Sequence, residues 1–269
     1  MSKFVVIVFP GETQAYQGTR ALKDLHAEGN VTLYGMAVIS KDAQGKISIK
    51  EAADAGPLGT AVGTLVGALI GVIAGPIGVV AGAAGGTMMG SLVDLYNFGV
   101  GEDFVAKISD ELGTGKTAIV AEIGETWTTP LDTRMEASGG TVLRTWRADF
   151  EDEQMAKEAA ARKADWEQLR AEYAQATAET KAKVKAKMDQ AKAELAKAQE
   201  KLKARLDSVE KEADAKVAAL EKQINTAKED AREKIKQRIA ALRTERETRS
   251  AKLKQAWALT KEALAPWGV

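Results

Sequence analysis

Glycine recurs at every fourth position of a long segment without charge, and this segment constrains the fold more than any other. No charged residue occurs between Asp54 and Asp94. Because four residues are just over one helical turn, glycines at this spacing predict a bare stripe along one helix face, where two helix backbones can approach closely. The glycines form one series before Pro76 and one after it: Gly59, Gly63, Gly67, Gly71 and Gly75, then Gly78, Gly82, Gly86 and Gly90.

So many glycines inside helices require a compensating contact. Each costs about 1 kcal/mol against alanine in a helix in water. The two apolar arms, 58–74 and 77–93, flank a Gly-Pro turn and have 17 residues each. Each arm is about 25 Å long, against about 30 Å for a bilayer core. We therefore predict that residues 55–94 form a helical hairpin that inserts into a membrane, with burial between the subunits of an assembly as the alternative.

The segments on either side of this hairpin alternate between strand and helix patterns. Short β-branched or alternating apolar runs predict strands at residues 4–9, 31–40, 46–50, 116–123 and 141–147. Apolar residues at helical spacing predict helices at 13–27 and 102–112, and a short one from 129. The order β-α-β-β-α-β, with one added α-β unit, is typical of a ferredoxin-like α+β domain. We predict that this domain comprises residues 1–54 and 95–147.

The remaining segment, residues 148–265, contains neither glycine nor proline. Ala, Glu, Lys, Arg and Leu dominate it, which predicts a very long α-helix or coiled coil. Because the mean spacing of its apolar residues is near 3.6, any supercoil should be slight. The sequence leaves open whether this tail is one straight helix or a folded-back pair. The predicted coiled-coil stripe comprises Leu202, Leu206, Val209, Val217, Leu220, Ile224, Ile235 and Leu242.

Five features of residues 1–147 occur together. They are the apolar strand at 4–9, the Asp-Ala-Gln-Gly-Lys turn at 42–46, the Ala/Gly-rich segment 56–93, the stretch 99–104, and the strand Gly-Gly-Thr-Val-Leu-Arg-Thr at 139–145. In these features the chain resembles a widespread bacterial domain of unknown function that is often labelled a membrane protein. The resemblance implies a fold and a membrane association, and it brings no catalytic residues. The long helical tail is an extension beyond that domain.

Few residues are candidates for chemistry. The chain has no cysteine and one histidine, His26, which excludes thiolate chemistry and histidine-based metal sites or triads. We expect His26 near the C-terminal end of the first helix, where a partly positive imidazole suits the helix dipole. Residues 113–117 read Gly-Thr-Gly-Lys-Thr, but Asp110 stands where a phosphate-binding loop needs its first glycine. This sequence therefore predicts an ordinary loop.

Charged residues indicate solvated surfaces rather than binding sites. The acids Asp94, Glu102 and Asp103 are typical of capping and dipole partners at a helix start, although such a cluster is also capable of binding a divalent cation. Formal net charge is zero, and the mildly basic tail is typical of a solvated helix surface. We expect no nucleic-acid partner and no metal or other cofactor.

These observations predict a non-enzymatic, self-associating protein that acts as a membrane-associated scaffold through its glycine hairpin and long helix. The expected partners are further copies of the chain and a lipid bilayer, and no small-molecule substrate is identified. One alternative is a soluble higher-order oligomer, such as a ring, cage or filament, with the glycine stripe as its inter-subunit core. The other is a pore-forming or transport element. The expected location is the cytoplasmic side of a membrane, or a cytoplasmic assembly.

Overall fold

The computed structural model describes residues 2–53, 56–73, 102–146 and 150–265. Within these ranges, each element of the first 147 residues lies within two residues of its predicted position, and the predicted second apolar arm, 77–93, lies outside the described residues. The strands are β1 (Lys3–Phe9), β2 (Val31–Lys41), β3 (Ile47–Glu51), β4 (Thr117–Glu125) and β5 (Thr141–Trp146). The helices of the described ranges are α1 (Glu12–Ala27), α2 (Pro57–Ile73), α3 (Glu102–Glu111), α4 (Thr129–Glu136), α5 (Phe150–Gln175), α6 (Ala178–Thr226) and α7 (Glu229–Leu264).

The five strands form one antiparallel sheet in the order β3-β2-β4-β1-β5. Without β3, this is the strand order of a ferredoxin-like unit, in which β1-α1-β2 and β4-α4-β5 interleave. The predicted α+β class is confirmed. The strand added to this unit is β3, which lies at one edge of the sheet.

Strands β1 and β4 are buried along their whole length. A strand in which polar and apolar residues alternate has one face toward water, but β1 is a continuous apolar run after Lys3. Such a strand needs an apolar cover on both faces of the sheet.

One face of the sheet, which we call the α1 face, is covered by α1 and α4. Both helices belong to the ferredoxin-like unit. The core on this face combines residues of β1 with residues of the two helices: Val5, Ile7, Phe9, Ala15, Leu22, Leu25, Leu131 and Met135.

The opposite face, which we call the α2 face, is covered in part by α2 and α3. Both come from the long connection between β3 and β4, so the segment that interrupts the α+β unit supplies its second helical layer. The core on this face includes Phe4, Val6, Val8, Leu65, Leu69, Ile108 and Leu112.

A β-bulge in β2 directs Tyr34 away from the regular ladder. Leu33 pairs with Ile123 of β4 and Gly35 pairs with Glu122, so Tyr34 is the extra residue. Its ring is buried with apolar residues of the tail. Tyr34 therefore gives the tail an apolar place to pack on the sheet.

The tail consists of three helices, α5, α6 and α7, with breaks at residues 176–177 and 227–228. By contacts, the chain divides into two compact units: Met1–Asp149 with Glu212–Thr244, and Phe150–Lys211 with Glu245–Val269. Residues 212–244, which the sequence assigned to a separate tail, thus belong to the unit that contains the sheet. We call them the α6–α7 hairpin.

In the second unit, parts of α5, α6 and α7 share an apolar core. Ala159 of α5, Leu202 and Val209 of α6, and Leu253 and Ala256 of α7 are buried together. Because alanine buries little area, these helices need one another to form a core.

Gly18 of α1 and Gly63 of α2 allow a matched test of this packing. A Cβ at Gly18 would overlap the ring of Phe9, whereas one at Gly63 meets no atom within 4 Å. Gly63→Ala should raise the free energy of unfolding by up to about 1 kcal/mol through helix propensity. Gly18→Ala should lower it by about 1–3 kcal/mol through overpacking. Urea denaturation followed by circular dichroism measures both, and changes of the same sign would contradict the packing of α1 on Phe9.

Candidate functional site

Helix α2 has two faces of different character. Its larger apolar residues, among them Val62, Leu65 and Leu69, are buried on the α2 face of the sheet. The opposite side has only small, uncharged residues, which we call the small-residue face: Thr60, Gly63, Thr64, Gly67 and Gly71. The three glycines are exposed, and a Cβ at Gly63 or Gly67 would have no atom within 4 Å.

The hydroxyl groups of the small-residue face are satisfied within α2 itself. Thr60 Oγ1 donates to the main-chain oxygen of Gly56 at 2.7 Å, and Thr64 Oγ1 donates to that of Thr60 at 2.9 Å. A threonine that bonds back to its own helix presents mainly its methyl group outward. The small-residue face is thus smooth and uncharged, and its hydroxyl protons are already donated.

The other predicted glycines are placed differently. Gly59 is buried and lies against β2, where a Cβ on Gly35 would come within 3.5 Å of the Gly59 Cα. This glycine therefore serves the contact between helix and sheet. The remaining members of the predicted stripe lie outside the described residues: Gly75, Gly78, Gly82, Gly86 and Gly90. Within the described ranges, no helix combines the length and apolar character needed to cross a membrane.

The predicted coiled-coil stripe packs inside the chain, in two separate groups. Three of its residues lie in the core of the second unit: Leu202, Leu206 and Val209. The other five pack with Tyr34 and Leu58 in the first unit: Val217, Leu220, Ile224, Ile235 and Leu242. The stripe therefore stabilises the fold of one chain.

A buried ion pair joins the α6–α7 hairpin to the sheet. Lys216 Nζ lies 2.6 Å from Glu122 Oε1 and 2.7 Å from Glu212 Oε1, and it donates to Ser2 Oγ at 3.1 Å. Its ammonium group is also 5.1 Å from the centre of the Tyr34 ring. Lys216 is 3% exposed and Glu122 is fully buried, so each charge depends on the other for compensation.

The turn between α1 and β2 provides carbonyl groups for the same hairpin. Helix α1 ends in a Schellman motif, in which Gly29 has a φ of 74° and the Asn30 N–H donates to the Leu25 carbonyl at 3.0 Å. A Cβ at Gly29 would come 2.5 Å from the Cβ of Ala231, so only glycine allows α7 to lie this close.

Two tail side chains bind this turn. The Gln223 amide nitrogen donates to the main-chain oxygens of His26 and Val31, and its oxygen accepts from Thr32 Oγ1 at 2.8 Å. The Arg238 guanidinium donates to the Asn30 carbonyl at 2.8 Å and to Thr32 Oγ1 at 3.0 Å. Thr32, Gln223 and Arg238 are all buried, so these bonds replace water that the turn would otherwise bind.

The His26 imidazole lies at the same junction. Its Nδ1 accepts a hydrogen bond from the Leu33 main-chain N–H at 3.2 Å, so this nitrogen carries no proton. Burial lowers the pKa of His26 below its ordinary value, the Val31 carbonyl partly offsets this effect, and the Arg238 charge lowers the pKa further. His26 lies in the last turn of α1, as predicted, but its lowered pKa disfavours the partly positive imidazole that the sequence suggested.

The α1 face has a charged cluster at the same end of the sheet. The buried Glu125 carboxylate lies 3.0 Å from Lys3 Nζ and 3.1 Å from Arg144 Nε. Arg144 also donates to Asp132 Oδ1 at 2.6 Å. Both faces of the sheet therefore use ion pairs where the apolar core ends.

The second unit has a buried ion cluster of its own. Asp152 is fully buried and accepts from Arg205 Nε and Arg249 Nε, each at 2.7 Å. Burial alone would raise the pKa of Asp152, but the bonds and charges of the two arginines lower it overall. The carboxylate thus joins α5 to α6 and α7 as an anion.

The remaining sequence candidates do not form a site in the part of the chain that the structure describes. The Gly-Thr-Gly-Lys-Thr sequence begins in the turn between α3 and β4, and Lys116 Nζ lies 3.2 Å from Glu111 Oε1. Asp103 is exposed on the first turn of α3, while Asp94 and the Glu102 side chain lie outside the described residues.

Sequence reasoning missed the polar contacts of the hairpin. Glu122 and Thr32 are polar residues in buried strands, which is a signal that a partner must reach them. Lys216 and Gln223 adjoin Val217 and Ile224 of the apolar stripe, a position that favours burial of their side chains.

Residues 60–160 match the model of a family described as protein of unknown function (DUF1269). Over this segment the chain is similar to that family. The match confirms the resemblance to a domain of unknown function, although it begins later in the chain than expected and extends into α5. The DUF1269 segment includes the small-residue face of α2 and Glu122, but not the α6–α7 hairpin. No curated protein and no solved structure matches the chain.

We predict that the Lys216–Glu122 pair holds the hairpin on the sheet. Lys216→Met leaves the Glu122 carboxylate buried without its main counter-charge, which should lower the free energy of unfolding by about 3–5 kcal/mol. The double variant Glu122→Gln/Lys216→Met should recover most of this loss. Urea denaturation measures both, with Lys222→Met at an exposed site of α6 as the control. A loss no larger than that of the control would show that the pair is dispensable.

Proposed function

We propose that this protein is a non-enzymatic scaffold that assembles with copies of itself, and that its subunits meet at the small-residue face of α2. The observation that carries this proposal is the exposure of Gly63, Gly67 and Gly71 on one side of a helix whose other side is fixed to the sheet. A helix from a second subunit is able to approach such a face to within backbone contact.

The chemistry of the face also favours a helix as its partner. An exposed helix face of a soluble protein usually bears charged or long polar side chains. Here the threonine hydroxyls donate within the helix, so water gains little from contact with this face. Close helix packing removes the face from water, and each hydroxyl proton keeps its acceptor within α2.

The attachment of α2 to the sheet favours assembly over membrane insertion of this helix. Val62, Leu65 and Leu69 are at most 1% exposed. Moving α2 into a bilayer would detach it and expose the facing residues of the sheet, at roughly 1.5–3 kcal/mol for each large side chain. The glycine stripe suggests either membrane insertion or contact between subunits, and contact between subunits leaves α2 in place on the sheet.

A membrane is the second candidate partner. The observation that favours it is the charge-free sequence, which continues beyond Ile73 to Val93 with the five further glycines of the predicted stripe. In this version of the proposal, α2 stays on the sheet and the sequence after it contacts lipid.

The non-enzymatic part of the proposal is supported by the buried charged side chains, which are already engaged in contacts that hold the fold. The buried charges Lys216, Glu122 and Arg238 are engaged in holding the hairpin, and the buried Asp152 is engaged by two arginines. Ion pairs of this kind fix the arrangement of helices rather than present a reactive group.

Gly67→Leu tests the proposed contact between subunits. The new side chain extends into open space, so the subunit should fold, and its helix propensity improves by up to about 1 kcal/mol. We expect the dissociation constant of the assembly to rise at least about tenfold, equivalent to about 1.4 kcal/mol. Light scattering coupled to size-exclusion chromatography, over a range of concentrations, measures this change.

Ala106→Leu is the matched control, because it adds the same side chain at an exposed position of α3. Assembly that is equally affected in both variants, or in neither, would contradict the role of α2. Flotation with phosphatidylglycerol-containing vesicles separates the second candidate: if Gly67→Leu loses assembly but still floats with vesicles, lipid contact lies elsewhere in the chain.

A further inference from the structure

We propose that pH controls how firmly the α6–α7 hairpin docks on the sheet, with His26 as the sensor. His26 is the only histidine of the chain, and histidine is the side chain whose ordinary titration falls between pH 5 and 8. Its imidazole lies where the hairpin's polar side chains meet the turn between α1 and β2. This inference is independent of the proposed contact between subunits.

Protonation of His26 removes a bond at the start of β2. In the docked arrangement, Nδ1 accepts from the Leu33 N–H. An imidazolium carries a proton on both ring nitrogens, so its Nδ1–H would oppose the Leu33 N–H instead of accepting from it. The imidazole and the Leu33 N–H then have to separate, and the hydrogen bond between them is lost.

This segment is the one that the hairpin binds. The main-chain oxygens of His26, Asn30 and Val31 all accept from Gln223 or Arg238. The close approach of Gly29 and Ala231 leaves no space for the turn to change shape while α7 stays in place. A local change at His26 therefore affects four points at which the hairpin is attached.

The charges around His26 increase the effect of protonation. Arg238 of α7 is the cation that acts on the imidazole directly. Arg238 is in turn attracted by the carboxylate of Glu125 of β4. On α6, Gln223 is neutral and Lys216 is paired with Glu122 and Glu212.

One further ion pair lies beside His26 along α1. Glu28, two residues on, is paired with Arg134 of α4. A protonated His26 thus repels Arg238, while the carboxylates of Glu125 and Glu28 are already paired with other cations.

The direction of the pH dependence follows from the burial of His26. Because burial and Arg238 lower its pKa in the docked state, that state resists a proton which the undocked histidine accepts at its ordinary pKa of about 6.5. Docking is therefore strongest above this value and weakens as the pH falls below it. At pH 5.5 the equilibrium constant for opening should be up to about tenfold higher than at pH 7.5.

Hydrogen exchange on the whole chain measures this opening. After correction for the intrinsic pH dependence of exchange, the Leu33 amide and the amides of residues 226–238 should lose protection by up to about tenfold between pH 7.5 and 5.5. Amides of β1 should not change. Because the chain has one histidine, its imidazole proton signal is identified directly by NMR, and its midpoint should fall below 6.5.

His26→Asn is the matched variant, because its amide oxygen accepts a hydrogen bond near the Nδ1 position but does not titrate. We expect its hairpin protection to be the same at both pH values after correction. The same pH-dependent loss in wild type and variant would overturn the proposal. If His26→Asn does not fold, the wild-type titration decides: an imidazole midpoint at or above 6.5, or hairpin exchange that does not follow it, would equally overturn the proposal.

Discussion

The fold depends on the fact that the central strands of the sheet are apolar on both sides. Strands β1 and β4 are buried along their length, so the sheet needs a helical layer on each face. The ferredoxin-like unit provides only one layer, because α1 and α4 both lie on the same face. The other face is covered by α2 and α3, which come from an insertion, and by the α6–α7 hairpin, which comes from the tail. The insertion and the hairpin, which the sequence pattern assigns to other domains, are thus both needed to cover the sheet.

The hairpin is positioned by polar contacts more than by its apolar area. Its buried residues include two alanines, Ala227 and Ala231, and an alanine buries too little surface to define one register against the sheet. The buried Lys216–Glu122 pair is satisfied in one position only, as are the bonds from Gln223 and Arg238 to the α1–β2 turn. Buried ion pairs add little net stability because of the cost of desolvation, but breaking one is expensive. These polar contacts therefore determine the position in which the hairpin docks. The apolar contacts of Tyr34 and its neighbours stabilise the docked state.

Local patterns in the sequence predict the helices and strands, but they do not predict contacts between residues far apart in the chain. The apolar run of β1, the end of α1 at Gly29 and the helical character of the tail all follow from residues near in sequence. The breaks in the tail at 176–177 and 227–228 have no glycine or proline to mark them. The partners of Gln223 and Arg238 lie about two hundred residues away, so no local pattern reveals them. The partly positive imidazole suggested for His26 is disfavoured for the same reason, because burial at the junction with the hairpin and the charge of Arg238 lower its pKa. Whether the glycine stripe serves assembly stays a prediction.

The glycines of α2 differ in what the fold gains from them. Gly59 allows the helix to lie close to β2 at Gly35, so its cost in helix propensity is offset within the chain. Gly63 and Gly67 make no such contact in the described structure, and each gives up about 1 kcal/mol against alanine. Alanine at these two positions would fit without a clash and would hold the same buried face against the sheet. Since a domain of this size is stable by only about 5–15 kcal/mol, a loss of about 2 kcal/mol is substantial. A bare face that weakens its own helix and makes no contact among the described residues is what the proposed assembly would require, and the spacing of the glycines favours a helix as the proposed partner.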